Sequence, residues 1–407
     1  MSSGLKSADV AIVGGGIVGC AISLAARRLG LSATVLERGR ICGEASSAAG
    51  GLICAQYDAD RDTPLFRLRL DGRDAFPEFA RLLQELSGLD VGFSNGPTLG
   101  LARTDQQRRH LLARVAWQRQ AGLQVEFLEP DEARCREPLL PPEITGAAVY
   151  PDGQVDTQRW PPIVHRALLA AGVHVHEGTD VTNVTAGPNP VVQTVRGALN
   201  ADQIVLATGA WLPHLLPSVP VVPSKGHMLA FDAPQLNLRH ILHVPGGSLA
   251  QRSHGRVVFG ATKERVGFDR RLRAGAVREM LTRALATLPA LADCPLASIW
   301  TGFRPEPTDG LPLIGRDPRS GLFLATGRGE QHRSQVETMD LGHPIEAAVD
   351  VLAVDGFVVV EVQTHVRVLR PAAASCPRST SRRMRWPRSS NHGGTNPGPW
   401  AATAWVR

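Results

Sequence analysis

The sequence predicts an α/β fold in which a parallel-sheet domain is interrupted twice by a second domain rich in antiparallel strands. Three observations carry this expectation: a β-α-β unit opening the chain, a second buried strand that closes on a glycine at residue 209, and an alternating stretch over residues 221–262. With 407 residues and 43% hydrophobic content the chain can bury more than one core, so two domains fit its length.

The elements follow in chain order. Residues 10–13 are an apolar run ending in glycines, residues 17–29 carry helical periodicity, and residues 32–36 are a second apolar run. Two amphipathic helices are expected over residues 64–86 and 104–120, the second with Thr104 as its N-cap, and the strand-like pieces LDVGFS and TLGLAR lie between them. A helix over 161–171 leads into VHVHEG and VTNV and then into QIVLATGAW, a buried strand closing on a Gly turn. The stretches HMLAF, HILHV and RVVFGAT alternate as an antiparallel sheet does, and 275–288 reads as a helix. The tetrapeptide LATG occurs at 206–209 and again at 324–327, each time ending a strand, where open α/β sheets place ligands.

The net charge of +6 belongs to the end of the chain: eight arginines and no Lys, Asp or Glu follow Glu361, which leaves −2 for residues 1–361. The body is slightly acidic, and the basicity sits in a Pro-, Ser-, Gly- and Arg-rich tail of disordered composition, which argues against a nucleic-acid partner. No apolar leader precedes the first strand and no apolar run reaches bilayer-spanning length, so a cytoplasmic protein with no membrane partner is expected. Six scattered cysteines without a CxxC pair fit reduced thiols, with no metal site.

The strongest local motif is Gly14-Gly15-Gly16-Ile17-Val18-Gly19 between a strand and a helix, with Glu37 ending the next strand. Gly14 permits the tight turn, Gly16 lets backbone approach a pyrophosphate, and Gly19 lets the helix pack on the strand. The helix start offers unpaired N–H groups to phosphate, and Glu37 is spaced to accept hydrogen bonds from ribose hydroxyls. A glycine-rich turn without a nucleotide is the bland alternative. The motif alone does not separate flavin from nicotinamide. The small-residue segment GEASSAAGGLI could lie against a flat ring system, with Ser46 and Ser47 donating to phosphate or flavin oxygens; an ordinary loop capping a helix fits it equally. Arg304, just after the strand-like SIWTG and before Pro305 and Pro307, can grip a carboxylate with two parallel hydrogen bonds or pair with Glu306 or Asp309.

Together the fingerprint, SSAAGGLI, VLATGAW, KGHML, GRVVFGATKERVGFD and GFRPEPTDGLPLIGRDP resemble the FAD-dependent glycine oxidases of thiamine biosynthesis, within the D-amino-acid oxidase and sarcosine oxidase group. The similarity runs in order from about Asp9 to Gly327. It implies a Rossmann-like FAD-binding domain of the glutathione-reductase type (1–85, 150–220 and 300–330) interrupted by an antiparallel-sheet substrate domain (86–149 and 221–299). It implies that Ile17 and Val18 lie at the phosphates and Glu37 and Arg38 at the adenosine ribose. Ala45, Ser46 and Gly50-Gly51-Leu52 would line the pyrophosphate and isoalloxazine, and Val181 would contact adenine. Thr208, Gly209 and Gly327, in the two LATG turns, join this cofactor set, and Arg304 would hold the substrate carboxylate. The implied reaction is oxidation of glycine or another small amino acid to the imine, with O2 reduced to H2O2 and without a general base. FAD would be non-covalent, because Arg304-Pro305 occupies the neighbourhood of the tethering cysteine of sarcosine oxidases, and self-association into a homo-oligomer is common in the family.

The departures qualify this. Ser248-Leu249-Ala250-Gln251-Arg252 stands where the family commonly has an aromatic before Val-Pro-Arg, and His227 replaces a usual Glu. The Ser248 change would suit the larger substrates of a D-amino-acid or sarcosine oxidase or dehydrogenase. After the second LATG the family's His-aromatic-Arg-Asn-Gly-Ile helix start is replaced by Arg328-Gly329-Glu330-Gln331-His332. A reading-frame shift or a divergent, disordered C-terminus over 331–407 would produce this, the composition favouring the shift, and a flavin-binding remnant without turnover would follow if the last helix were lost.

Overall fold

The computed structural model describes residues 5–327, 348–354 and 357–363. The chain divides into a compact unit of residues 1–365 and a second unit of 366–407, and the second lies outside the described residues. The expectations for residues 328–347 and for the Arg-rich tail likewise fall outside them.

The opening unit is strand β1 (Ala8–Val13), helix α1 (Ile17–Arg28) and strand β2 (Ala33–Leu36). Small residues dominate the buried side of α1, Gly19, Cys20, Ala21 and Ala25 among them, so the helix axis lies close over the sheet. β1 sits centrally, parallel to β2 on one side and to Gly197–Leu206 on the other. His174–His176 extends the sheet beyond β2, and Phe323–Thr326 pairs parallel beyond Gly197–Leu206, with Leu313–Arg316 antiparallel at the edge. Near-continuous burial of β1 and β2 is the signature of a sheet covered on both faces.

After β2 come the short helix α2 (Ala45–Ala48), strand β3 (Leu52–Ile53) and the long helix α3 (Pro64–Ser87). α3 is delimited by local chemistry. Thr63 Oγ1 accepts from the Phe66 N–H at 3.1 Å, Pro64 occupies the first turn, and Gly88 ends the helix in the left-handed region at φ 69°. Leu65, Phe66, Phe76, Phe79, Ala80 and Leu83 recur at helical spacing and are buried. Phe76 packs against Phe79 and Phe93, with ring centroids 6.1 and 5.4 Å away, in a core shared with Trp160 and Ile163 of the helix Trp160–Ala170 and with α1.

The second sheet has eight strands. In spatial order they are Leu296–Pro307, Val221–Asp232, Arg256–Gly260, Gly247–Gln251, Ile241–Val244, β4 (Thr98–Ala102), Gly146–Tyr150 and Glu126–Leu128. Its core lies against the helix Ala274–Thr287 through Met280 and Ala284. Two features differ from the sequence expectation. The sheet is not wholly antiparallel, because Ile241–Val244 runs parallel to β4, a strand drawn from more than a hundred residues earlier. Leu296–Pro307 belongs to this sheet through pairing with Val221–Asp232 along its length, so the chain rejoins the first sheet at Leu313, later than residue 300. The Thr104 cap and the helices at 64–86, 104–120, 161–171 and 275–288 appear within a residue or two of their expected bounds. The apolar run in the last part of the chain forms an antiparallel hairpin of Ala348–Val354 and Phe357–Gln363. Among the described residues no helix is long and apolar enough to cross a membrane.

Phe76→Ala is expected to destabilise the protein by about 3–5 kcal/mol through the cavity left beneath α3. Urea unfolding followed by tryptophan fluorescence measures it, and a loss below about 1 kcal/mol would show that the Phe76 cluster does not hold the two helices together.

Candidate active site

The carboxyl ends of three neighbouring parallel strands set the first cleft. Val13, Leu206 and Leu324 stand side by side in register, so the Gly14 turn and both LATG turns share one edge of the sheet. Gly14 has φ +108° and lies against the neighbouring strand so closely that a Cβ would stand 2.4 Å from the Ala207 carbonyl oxygen. Gly19 is packed in the same way, with a Cβ 2.1 Å from the Gly14 carbonyl oxygen. Gly19 therefore serves packing, and only the residues before it reach the ligand side.

The cleft has a volume of about 400 Å³ and is walled by Gly14, Gly16, Ile17 and Val18, by Glu37 and Arg38, and by Ala45 and Ser46. Val181, Thr208, Gly209 and Gly327 also line it. Ser46 Oγ accepts the Ile17 N–H at 2.9 Å, which caps the free end of α1 and leaves the serine proton to donate onward. Glu37 is buried, and its carboxylate accepts from the Gly15 N–H at 2.7 Å and the Gly39 N–H at 2.6 Å. Burial raises the Glu37 pKa, and those two backbone donors with Arg38 work against the rise. Each carboxylate oxygen keeps a lone pair for a hydroxyl. Arg38 lies 4.0 Å above the Trp211 ring and 3.4 Å from Glu44, which also binds Arg270 at 2.6 Å.

Two polar atoms in this cleft are left over. Thr208 Oγ1 and Thr326 Oγ1, the threonines of the two LATG turns, are shut off from solvent and make no hydrogen bond among the described residues. A buried hydroxyl without a partner costs about 1–3 kcal/mol, so a polar group of a bound ligand fits here. The bare backbone at Gly14 and Gly16, the α1 N-terminus and the Glu37 carboxylate make the same cradle fit a dinucleotide.

A second pocket, of about 370 Å³, is lined by Gly50 and Leu52 on one side and by Met228, His243, Ser248 and Arg304 on the other. A slot between α2 and the second sheet shares Ala45 with the cleft and Gly50, Met228 and Arg304 with this pocket. Arg304 lies inside the strand Leu296–Pro307, opposite Ser224, rather than after a strand as its sequence context suggested. Its Nη1 donates to the Thr262 carbonyl at 3.1 Å. The ion-pair alternative with Glu306 is not what forms: that carboxylate is bound to Arg265 and lies 3.4 Å from Lys263, while Asp309 Oδ1 accepts the Leu311 N–H. Two glycines that sequence reasoning passed over make the arrangement possible. A Cβ on Gly226 would stand 2.4 Å from Arg304 Nη1, and one on Gly302, its cross-strand partner, 2.6 Å from Ala48 Cβ. Their signal in the sequence was one glycine in each of KGHML and TGFRP, readable only once the register is known.

The remaining expected residues fall as follows. Ser47 lines neither cavity, because its hydroxyl donates to the Glu44 carbonyl at 3.3 Å. Gly51, at φ +68°, serves the backbone: its carbonyl accepts from the Val155 N–H, and a Cβ would meet the Val155 carbonyl at 2.0 Å. Gly50 presents its carbonyl to the buried Arg252, which also binds Gln154 at 2.6 Å. His227 is fully buried, its Nδ1 2.9 Å from Thr262 Oγ1 and its pKa lowered by that burial. No cluster of metal-ligating side chains occurs among the described residues.

Residues 9–331 match the DAO family, FAD dependent oxidoreductase. The chain belongs to this family. It is 34% identical over 328 residues to the glycine oxidase of Geobacillus kaustophilus, covering 78% of this chain and 87% of that one. It is 31% identical over 331 residues to the bifunctional protein ThiO/ThiG of a Synechocystis strain, where the match spans 48% of the longer protein. The crystal structure of the Geobacillus kaustophilus glycine oxidase superposes with a TM-score of 0.77 over 80% of this chain and 90% of that chain, at 33% identity. That of the Bacillus cereus glycine oxidase gives 0.74 at 29% identity, over 79% and 89%. As a DAO-family member the protein is an FAD-dependent oxidoreductase, and the relatives it resembles in both sequence and structure include glycine oxidases.

Two outcomes are expected from this geometry. Gly226→Ala should leave the thermal midpoint within a few degrees of the original, because the atom displaced is the mobile end of Arg304, while affinity for acetate measured by calorimetry falls roughly tenfold; unchanged affinity would show that Arg304 does not meet carboxylates in this pocket. Asp152 is buried and pushed up to about 6 by that burial, with the charge of Arg73 and hydrogen bonds from Thr98, Cys54 and the Ala55 backbone offsetting only part. The folded protein thus holds this proton to higher pH than the unfolded chain, and stability falls by up to about 3 kcal/mol as pH rises from about 4 to about 6. Asp152→Asn should flatten that segment of a urea-midpoint against pH curve; an unchanged slope would refute the assignment.

Proposed function

We propose that the protein oxidises glycine or another small amino acid to its imine, with non-covalently bound FAD and with O2 as the final acceptor, releasing H2O2. The observation that carries this reading is the half-buried Arg304 guanidinium, lying over the bare Gly226 backbone in the pocket that adjoins the FAD cleft. Bound FAD supplies the hydride acceptor.

The cleft residues hold the cofactor in the roles their geometry supports. The N–H groups at the start of α1 and the Ser46 hydroxyl meet the pyrophosphate, Glu37 the ribose hydroxyls, and Val181 the adenine side. Thr208 and Thr326 offer their hydroxyls to the bound group. Gly50 and the Ala45–Ala48 segment form the wall along which a flat ring system lies, and Ala48 has room there because residue 302 is glycine.

Arg304 takes the substrate carboxylate in two parallel charge-assisted hydrogen bonds, fixing the α-carbon against that wall. Leu52, Met228, Ala250 and Val258 give the pocket apolar surface that keeps water from the reacting carbon. Likeness to the ThiO/ThiG protein supports a place in the thiazole branch of thiamine synthesis, where the imine is passed on.

Purified protein is expected to be yellow and to release peroxide with glycine, measured by a coupled peroxidase assay; an FAD-loaded preparation inert towards glycine, sarcosine and D-alanine would sink the reading. Arg304→Ala should raise KM about a hundredfold, equivalent to about 3 kcal/mol, while FAD absorbance is retained, and an unchanged KM would remove Arg304 from the carboxylate site.

A further inference from the structure

We propose that Ser248, backed by His243, takes the ammonium proton of the substrate, a catalytic role that rests on the amino-acid oxidation proposed above. The two residues are direct cross-strand partners in the hairpin of Ile241–Val244 and Gly247–Gln251, and Ser248 Oγ is hydrogen-bonded to His243 Nδ1. Both line the pocket that contains Arg304. His243 is 8% exposed and Ser248 is half-buried, so the hydroxyl is the part of the pair that an occupant of the pocket reaches.

The imidazole is held on two further sides. His243 Nε2 lies 3.3 Å from Cys54 Sγ, itself 3.7 Å from Thr98 Oγ1. One face of the ring stacks on Tyr57, with centroids 4.5 Å apart and planes 9° from parallel. Gly100, the β4 residue paired with His243, clears space for that stack: a Cβ there would lie 2.6 Å from the Tyr57 ring. With Nε2–H directed at the Cys54 sulfur, Nδ1 is the acceptor and the serine proton points to it, leaving the Ser248 oxygen lone pairs to accept from a donor in the pocket.

An amino acid arrives at neutral pH as an ammonium, and hydride leaves its α-carbon only when the nitrogen has a lone pair to share. In the proposed step an N–H bond of the ammonium breaks and its proton joins Ser248 Oγ, while the serine O–H breaks and its proton joins His243 Nδ1. The amine becomes neutral, the imidazole becomes imidazolium, and the serine is neutral before and after. The Tyr57 ring face favours that cation. Among the described residues, the titratable and charged groups near the pair include Cys54 and, beside it, Asp152, with Arg114 over Tyr57. Asp58, Arg69, Lys263 and Arg304 line the pocket wall.

The test is anaerobic bleaching of the flavin by glycine, by D-alanine and by sarcosine, followed by stopped flow in the full-length FAD-loaded protein from neutral to strongly alkaline pH. Ser248→Ala and His243→Gln are expected to slow bleaching by about a hundredfold or more at neutral pH and to converge with the parent rate once the substrate ammonium is itself deprotonated. Ser248→Thr, which keeps the hydroxyl, should restore most of the neutral-pH rate, and acetate affinity should stay at the parent value in all three. A deficit of equal size at every pH, or none, would overturn the proposal while leaving the oxidase reading intact. Parent protein whose flavin no amino acid bleaches would overturn the oxidase reading and this one with it.

Discussion

The whole arrangement depends on how closely three strand ends are drawn together at Gly14. The turn there takes a positive φ, and the Ala207 carbonyl sits where a side chain would begin. That contact fixes the separation of β1 from Gly197–Leu206, and through it the alignment of both LATG turns along one edge. Gly19 repeats the constraint one turn into α1, bringing the helix start down over the same edge. Without those two bare backbones the helix N-terminus, the Glu37 carboxylate and the two orphaned threonine hydroxyls would not converge on one cleft.

The second sheet obeys a parallel constraint. Gly226 and Gly302 face each other across the long pairing of Val221–Asp232 with Leu296–Pro307, and each is bare for a different neighbour: the Arg304 guanidinium and Ala48 of α2. A cation is thus placed within a pocket that adjoins the slot leading to the first cleft while the strands keep their register. The same economy of small residues recurs at Gly100, which admits Tyr57 against His243. The polar end of the pocket is formed by Ser248 and His243.

Local features were legible in the sequence because their causes are local. The N-cap at Thr104 and the apolar spacing of α3 depend on residues within a few positions of one another, and helix bounds follow from them. Strand partnership was less legible. Ile241–Val244 lies beside β4 through burial and hydrogen bonds that no short window contains, and Leu296–Pro307 joins the second sheet for the same reason. The serine pair shows the limit within one motif: Ser46 and Ser47 are adjacent and chemically alike, yet only Ser46 points at the end of α1.

The sequence by itself determined the dinucleotide fingerprint, the acidic residue after β2, the interrupted α/β plan and the family, because these rest on residue type at fixed spacing. Tertiary structure alone decided which groups meet. It set Arg304 over Gly226, gave Glu306 to Arg265 and Lys263, left the Thr208 and Thr326 hydroxyls without partners among the described residues, and brought His243 to Ser248. Spacing along a chain fixes what a backbone can locally do, whereas a side chain's partner depends on the register between strands far apart in sequence, which only the closed sheets establish.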